Sequence, residues 1–152
     1  MKAKKMSKLI LLVEDNASDE KLTVLALKKC EVQNQVFVVR DGAEALDFLF
    51  ATGAHSERDG SALPALVLLD LNLPKIDGLE VLRRIRAAKR MAALPVVILT
   101  SSKQEADIAR GYSSGANAYV RKPVAYAEFV AAAKAIGVFW LSLNELPPPV
   151  TR

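Results

Sequence analysis

The chain has little of what disulfide frameworks and thiolate or imidazole metal sites require. Its 152 residues include one cysteine, Cys30, and one histidine, His55. A single cysteine excludes an internal disulfide, and a histidine with no second histidine or nearby cysteine is not a zinc ligand set. We predict that Cys30 is a buried thiol, that His55 is a surface loop residue, and that the compartment is reducing and cytoplasmic.

Long hydrophobic runs are also missing. No apolar segment approaches the roughly 20 residues that cross a bilayer. The run Leu9–Val13 follows several lysines, as in a signal peptide, but it is too short and ends in two acids. A membrane partner is therefore not expected.

The chain has only a modest excess of basic residues, with a net charge of +4. Much of this excess belongs to the first eight residues, which include Lys2, Lys4, Lys5 and Lys8. The arginine-rich stretch 83–90 is typical of a solvated helix face. Nucleic acid is therefore not expected as a partner.

Short apolar runs alternate with longer helical patterns along the chain. This alternation predicts βαβ units and a parallel sheet, because continuously apolar strands are typical of sheets covered on both faces. The predicted strands cover 9–14, 35–39, 66–70, 96–100 and 118–121, and the predicted helices cover 18–30, 42–53, 78–91, 103–114 and 126–141.

Local signals support several helix ends. Asp41, Asp77 and Ser102 each precede a glutamate by three residues, which is the spacing of a capping box. Gly115 is the predicted stop of the fourth helix. We predict a basic tail over 1–8, one domain over 9–141 and an extension over 142–152.

Polar side chains follow the apolar runs of four predicted strands. Glu14 and Asp15 follow the apolar run of the first strand, Asp70 that of the third, Thr100 that of the fourth and Lys122 that of the fifth. In an open parallel sheet these carboxyl ends share one edge, where ligands bind. The sequence therefore predicts one site with three acids, a hydroxyl and an ammonium.

This combination of side chains suits phosphoryl chemistry. Carboxylates at close range require a cation or a raised pKa, and a ligand set of oxygens alone suits Mg²⁺. Thr100 and Lys122 can contact phosphoryl oxygens, while the Asp70 carboxylate can attack phosphorus and form an acyl phosphate.

On these motifs the chain resembles the response-regulator receiver domains of two-component signalling. The resemblance implies a flavodoxin-like α/β fold, a doubly wound five-stranded parallel sheet of order 2-1-3-4-5 with five helices. It implies that Asp70 is the phosphoacceptor and a metal ligand, and that Asp15 binds Mg²⁺ directly. Glu14 would act on the metal through water, and Asn72 through its backbone carbonyl.

The same resemblance assigns the remaining residues. Thr100 is implied to be the switch hydroxyl, Tyr119 the aromatic side chain coupled to it, and Lys122 a contact of the phosphoryl group. The peptide bond from Lys122 to Pro123 is implied to be cis, which an X-Pro bond adopts at modest cost. Glu14 departs from the family, since most receivers carry an aspartate at its position.

A closer resemblance links residues 70–75 and the segment Phe139-Trp140-Leu141 to response regulators of bacterial and cyanobacterial phytochrome histidine kinases. It implies a phytochrome as the phosphoryl donor and a homodimer formed through the C-terminal region. The chain is then a single-domain phosphoacceptor switch that catalyses only its own phosphorylation and dephosphorylation. We expect no output domain after the fifth helix.

Other functions compete with this interpretation. A degenerate receiver would act as an unphosphorylated interaction module. A haloacid-dehalogenase-type phosphatase would carry a second aspartate where Asn72 stands. A flavin-binding electron carrier shares the topology, but Glu14 and Asp15 would repel a flavin phosphate. A DNA-binding regulator would need a helix-turn-helix segment, and no such segment follows the last predicted helix.

Overall fold

The computed structural model describes residues 8–148. One parallel sheet has the order β2-β1-β3-β4-β5. Its strands are β1 (Lys8–Val13), β2 (Asn34–Val39), β3 (Leu66–Leu69), β4 (Val96–Thr100) and β5 (Ala118–Arg121). The predicted fold class and strand order are confirmed. Residues 1–7 of the predicted tail and 149–152 of the predicted extension lie outside the described residues.

Five α-helices connect and cover the strands: α1 (Ala17–Lys28), α2 (Gly42–Phe50), α3 (Gly78–Ala87), α4 (Glu105–Ser113) and α5 (Tyr126–Val138). As predicted, the side chains of Asp41 and Asp77 cap α2 and α3 by accepting backbone N–H bonds. The predicted cap at Ser102 is wrong, because α4 begins after Gln104 and the Ser102 hydroxyl donates to Asp107 inside the helix.

All five helices end earlier than predicted, and three of them end three or four residues earlier. After α2, Ala51 adopts a left-handed conformation with φ 56°. After α3, Lys89–Met91 forms a separate 3-10 turn, and the Arg86 side chain holds that turn by donating to the Met91 carbonyl. After α5, Phe139–Leu143 continues as a π-helical turn. Apolar periodicity runs through these junctions, so it did not reveal them. Gly115, with φ 107°, follows the end of α4 as predicted.

Two hydrophobic clusters lie on opposite faces of the sheet. One joins β1, β3 and β4 to α2 and α3, and the other joins the same strands to α1 and α5. The helices α1 and α5 approach closely at Gly137, where a Cβ atom would stand 2.7 Å from Cys30 Sγ. Cys30 is buried, as predicted.

The long connection after α2 packs onto the domain. His55 lies in a short 3-10 helix, and its ring meets Phe37 and Phe48 edge-on at centroid distances of 5.6 and 5.3 Å. His55 Nε2 lies 3.2 Å from Glu44 Oε2, and the His55 side chain is only 15% exposed. His55 lies in the connection between α2 and β3, as predicted, and the two aromatic rings cover most of its side chain.

The segment Tyr126–Leu143 forms one continuous helical run of 18 residues. By length and composition the run is apolar enough to cross a membrane, which differs from the prediction that no segment approaches that length, and 28% of it is buried in the domain. Core helices of globular domains share these properties. Phe129, Ala133, Ile136 and Leu141 are all buried in this domain. The core therefore accounts for part of its apolar character.

Candidate functional site

The site lies where hydrogen bonding between strands continues one residue past the strand ends. The backbone N–H of Glu14 donates to the Val39 carbonyl, and that of Asp70 donates to the Val13 carbonyl. The backbone N–H of Lys122 donates to Thr100 over 2.7 Å. Because these bonds continue the sheet, they hold the backbones of three functional residues at one edge.

Asp70 is the centre of this edge and is only 6% exposed. Its Oδ1 accepts bonds from Thr100 Oγ1 at 2.8 Å and from the Asn72 N–H at 3.2 Å. Its Oδ2 accepts from Lys122 Nζ at 2.9 Å. Gly78 leaves room for the Asp70 carbonyl, since a Cβ atom there would lie 2.3 Å from that oxygen.

Lys122 bridges three carboxylates. Its Nζ lies 2.8 Å from Glu14 Oε1, 2.8 Å from Asp19 Oδ2 and 2.9 Å from Asp70 Oδ2. Burial lowers the pKa of the Lys122 ammonium, but its bonds to Asp19, Glu14 and Asp70 outweigh burial and hold that pKa above its ordinary value. Lys122 is therefore a fixed positive charge over the whole physiological pH range.

The two buried acids share Lys122, but their pKa values shift in opposite directions. Burial raises the pKa of Glu14 to about 7, because its bond to Lys122 only partly compensates. Burial also raises the pKa of Asp70, but Lys122, Thr100 and the Asn72 N–H together hold it below its ordinary value. Asp70 is thus the acid that stays ionised, as a nucleophile must.

Asp19 was missed by reasoning from the sequence. It lies in the first turn of α1, where its N–H donates to the Asn16 side chain that caps this helix. The available signal was its place in the first turn of the helix after β1, because that end of the helix lies at the carboxyl edge of the sheet. This place does not predict that Asp19 meets Lys122.

The acids fit a divalent cation. One carboxylate oxygen from each of Glu14, Asp15 and Asp70 lies within 4.8 Å of the others. Such a set of hard oxygen donors suits Mg²⁺, which also retains waters. The Asn72 N–H faces Asp70. A role for the Asn72 carbonyl as a ligand stays a prediction.

Tyr119 and the bond before Pro123 complete the edge. The Tyr119 hydroxyl donates to the Ser102 carbonyl over 3.0 Å. The peptide bond from Lys122 to Pro123 is trans, so the implied cis bond is wrong for this structure. Trans is the isomer that an X-Pro bond favours, by about 0.5–1 kcal/mol, and the lysine reaches Asp70 from it.

A groove of about 740 Å³ borders Lys122. Ser101 and Lys103 line it on the side of β4, and Pro123, Val124 and Ala125 line it on the side of β5. Val124 is fully exposed. The groove therefore leaves one flank of the site open to a partner.

Comparison with known proteins agrees with this arrangement. The sequence model of the response regulator receiver domain matches residues 10–134. The chain is 40% identical over 141 residues to the probable methanogenesis regulatory protein FilR2 of Methanothrix harundinacea, covering 93% of this chain and 88% of that one. It is 39% identical over 140 residues to the response regulator Rcp1 of Synechocystis, covering 92% and 93% of the two chains.

Two crystal structures match nearly the whole fold. The phosphorylated cyanobacterial phytochrome response regulator RcpA superposes with a TM-score of 0.87 at 40% identity, covering 94% of this chain and all of that one. The Mn²⁺-bound form of Rcp1 superposes with a TM-score of 0.86 at 37% identity, covering 93% and 99% of the two chains.

The matched family, the shared fold and the acidic cluster lead to one conclusion. A phosphoacceptor switch of two-component signalling, with a divalent-metal site in its acidic pocket, accounts for all three. The chain belongs to the response regulator receiver domain family.

Proposed function

We propose that Asp70 accepts a phosphoryl group from a phosphohistidine of a sensor kinase. One observation carries this assignment: Asp70 is the only one of the clustered acids that contacts both Thr100 and Lys122, among the residues the structure describes. An oxygen of Asp70 attacks phosphorus, the bond from phosphorus to the imidazole nitrogen breaks, and an acyl phosphate forms.

We assign the other side chains around this transfer. Lys122 and Thr100 lie within hydrogen-bond distance of Asp70, so they can donate to oxygens of the transferred group. Asp15 and Asp70 would hold Mg²⁺ directly, Glu14 through water and Asn72 through its carbonyl. The bound metal would neutralise charge on the phosphoryl oxygens. No separate substrate is turned over, so the protein acts as a switch rather than an enzyme.

Phosphorylation by a small donor tests this assignment. Incubation with phosphoramidate and MgCl₂ should add one phosphate to the intact chain, as measured by mass spectrometry. Asp70→Asn should abolish the addition, and EDTA should suppress it. Asp59→Asn, which changes an acid of the exposed loop, is the matched control and should leave it intact. Addition of a phosphate to the Asp70→Asn protein would contradict the assignment.

We propose a phytochrome histidine kinase as the donor. The similarity to RcpA and Rcp1 supports this pairing. The similarity to FilR2 makes other sensor kinases the relevant competitors. Phosphotransfer profiling against all histidine kinases of the organism should show fastest transfer from its phytochrome. Faster transfer from another kinase would overturn the pairing.

We propose a cytoplasmic location for the protein, because sensor histidine kinases use cytoplasmic ATP. Cell fractionation tests this location.

We propose that Thr100 and Tyr119 convey phosphorylation to the surface formed by α4, β5 and α5. Thr100 contacts Asp70 directly, and the ring of Tyr119 lies beside Gly111 of α4. A hydroxyl drawn toward a phosphoryl group would free space for the ring, which makes a two-state element. Hydrogen exchange with beryllofluoride and Mg²⁺ should change over 100–122. Changes confined to 14–16 and 70–78 would contradict this coupling.

We propose a homodimer through the C-terminal region. Phe139, Leu143 and Leu146 are 45%, 66% and 50% exposed, although all three are large and apolar. Trp140 instead packs against the core and Leu141 is 2% exposed, so these two residues serve their own domain. Sedimentation should give a dimer that the double variant Phe139→Ser, Leu143→Ser shifts toward monomer. If the wild-type protein sediments as a monomer at high concentration, both with and without beryllofluoride, the proposed homodimer is wrong.

A further inference from the structure

The three carboxylates that share the Lys122 ammonium are not equivalent. Glu14 and Asp70 belong to the acidic cluster that fits a divalent cation, whereas Asp19 does not. The Asp19 side chain is 26% exposed, compared with 1% for Glu14 and 7% for Asp70. Asp19 is therefore the one partner that the ammonium can keep when the other two acids are engaged elsewhere.

The ammonium and a metal ion would share two of the same acids, Glu14 and Asp70. Lys122 bonds to Glu14 Oε1 and Asp70 Oδ2, which are atoms of the acids that would hold the metal. Two cations at such close range repel each other. Lys122 must therefore loosen its hold on these acids when a metal is bound, and a buried ammonium that loses its partners is destabilising.

We propose that Asp19 is a positioning residue that retains Lys122 beside the acidic cluster, so that Glu14 and Asp70 become available to the metal and to the phosphoryl group. This inference rests on the proposed function of Asp70 and its metal site. The position of Asp19 suits the role because its N–H bonds to the Asn16 cap and its carbonyl accepts from Thr23 Oγ1. The first turn of a helix also favours a carboxylate.

Binding of Mg²⁺ to the full chain, measured by isothermal titration calorimetry, tests the role of Asp19. Asp19→Asn should weaken the affinity for Mg²⁺ about three- to tenfold, since Lys122 then stays with Glu14 and Asp70. Asp19→Glu keeps the charge and should restore most of the affinity. Glu20→Gln is the matched control, because this neighbouring acid pairs with Arg40 instead of Lys122, and it should change affinity less than about twofold.

A double-mutant cycle separates positioning from simple attraction between Asp19 and the metal. In the Lys122→Met protein, Asp19→Asn should have almost no effect, because the lysine through which Asp19 acts is gone. An equal loss of affinity in both backgrounds, or no loss in either, would overturn the inference. Asp19→Ser serves in place of Asp19→Asn if that variant does not fold. Failure of the unaltered protein to bind Mg²⁺ would instead remove the proposed metal site itself.

Discussion

Basic side chains have different partners at the two edges of the sheet. The amino edge lies where the parallel strands begin, and the carboxyl edge lies where they end. At the amino edge, basic side chains donate to neutral carbonyl groups: Lys8 to Leu141, Arg86 to Gly115, and Arg90 to Leu49. At the carboxyl edge, the Lys122 ammonium bonds only to carboxylates in the part of the chain that the structure describes. A backbone carbonyl group does not ionise, whereas a carboxylate can exchange its bond to an ammonium for a proton, a metal ion or a phosphoryl group.

This difference separates structural from functional charge. At the amino edge, the basic side chains hold loops and the π-helical turn Phe139–Leu143 against the domain. These contacts do not depend on any ligand. The carboxyl edge concentrates buried charges whose partners must change during phosphoryl transfer. The two edges should therefore respond differently to substitution, to pH and to Mg²⁺.

The largest effect is expected for Lys122→Met. Three carboxylates would lose their shared cation, and breaking a buried ion pair costs about 3–5 kcal/mol of unfolding free energy. Urea unfolding at pH 8 in EDTA should show this loss, and added MgCl₂ should recover part of it, because the metal binds the folded state. Lys134→Met, at an exposed position of α5, is the control. If Mg²⁺ did not recover any of the lost unfolding free energy, the idea that the metal takes over the carboxylate partners of Lys122 would be contradicted.

The next effect concerns the pH dependence of stability through Glu14. Its pKa is raised from 4.5 to about 7, so the folded protein binds more protons there than the unfolded chain does between these values. The stability contributed by Glu14 is therefore present at low pH and falls as pH rises toward 7. Without metal, the unfolding free energy of wild type relative to Glu14→Gln should drop by about 2–3 kcal/mol from pH 5 to 8. A constant difference would contradict the raised pKa.

At the amino edge, Arg86→Met should cost about 2 kcal/mol of unfolding free energy, because three acceptors at a partly buried site lose their donor. The lost partners are the Gly115 and Met91 carbonyls and Asn117 Oδ1, at 2.9, 3.0 and 2.8 Å. Urea unfolding with and without MgCl₂ should give the same loss. Arg84→Met, which removes an exposed partner of Glu80 on the same helix, should cost less. If Mg²⁺ restored the stability of the Arg86→Met protein, the two edges would not differ in their response to the metal.

The smallest effect is expected for Tyr119→Phe, which removes the bond to the Ser102 carbonyl. A neutral hydrogen bond of this kind contributes about 1 kcal/mol, and thermal unfolding should show a small decrease. Tyr112→Phe, at a ring that is 51% exposed on α4, should show none. An equal decrease in both variants would mean that the Tyr119 hydroxyl has no special role.

Several features of this protein follow from its sequence alone. Continuous apolar runs such as Leu66–Leu69 are typical of strands covered on both faces of a parallel sheet, so they predict the strands. Asp41 and Asp77 mark helix starts through bonds that span three residues. Because parallel strands end at one edge, the positions of Glu14, Asp70, Thr100 and Lys122 at the carboxyl ends of their strands were sufficient to predict a shared site.

Only the tertiary structure decided how the charges in that site are divided. Asp19 and Lys122 are 103 residues apart in the chain, and no local pattern predicts that they meet. The opposite pKa shifts of Glu14 and Asp70 depend on which oxygens face Lys122, Thr100 and the Asn72 N–H. Local sequence determines the elements through short-range bonds and periodicity, whereas burial and charge pairing are set by side chains that the completed fold brings together.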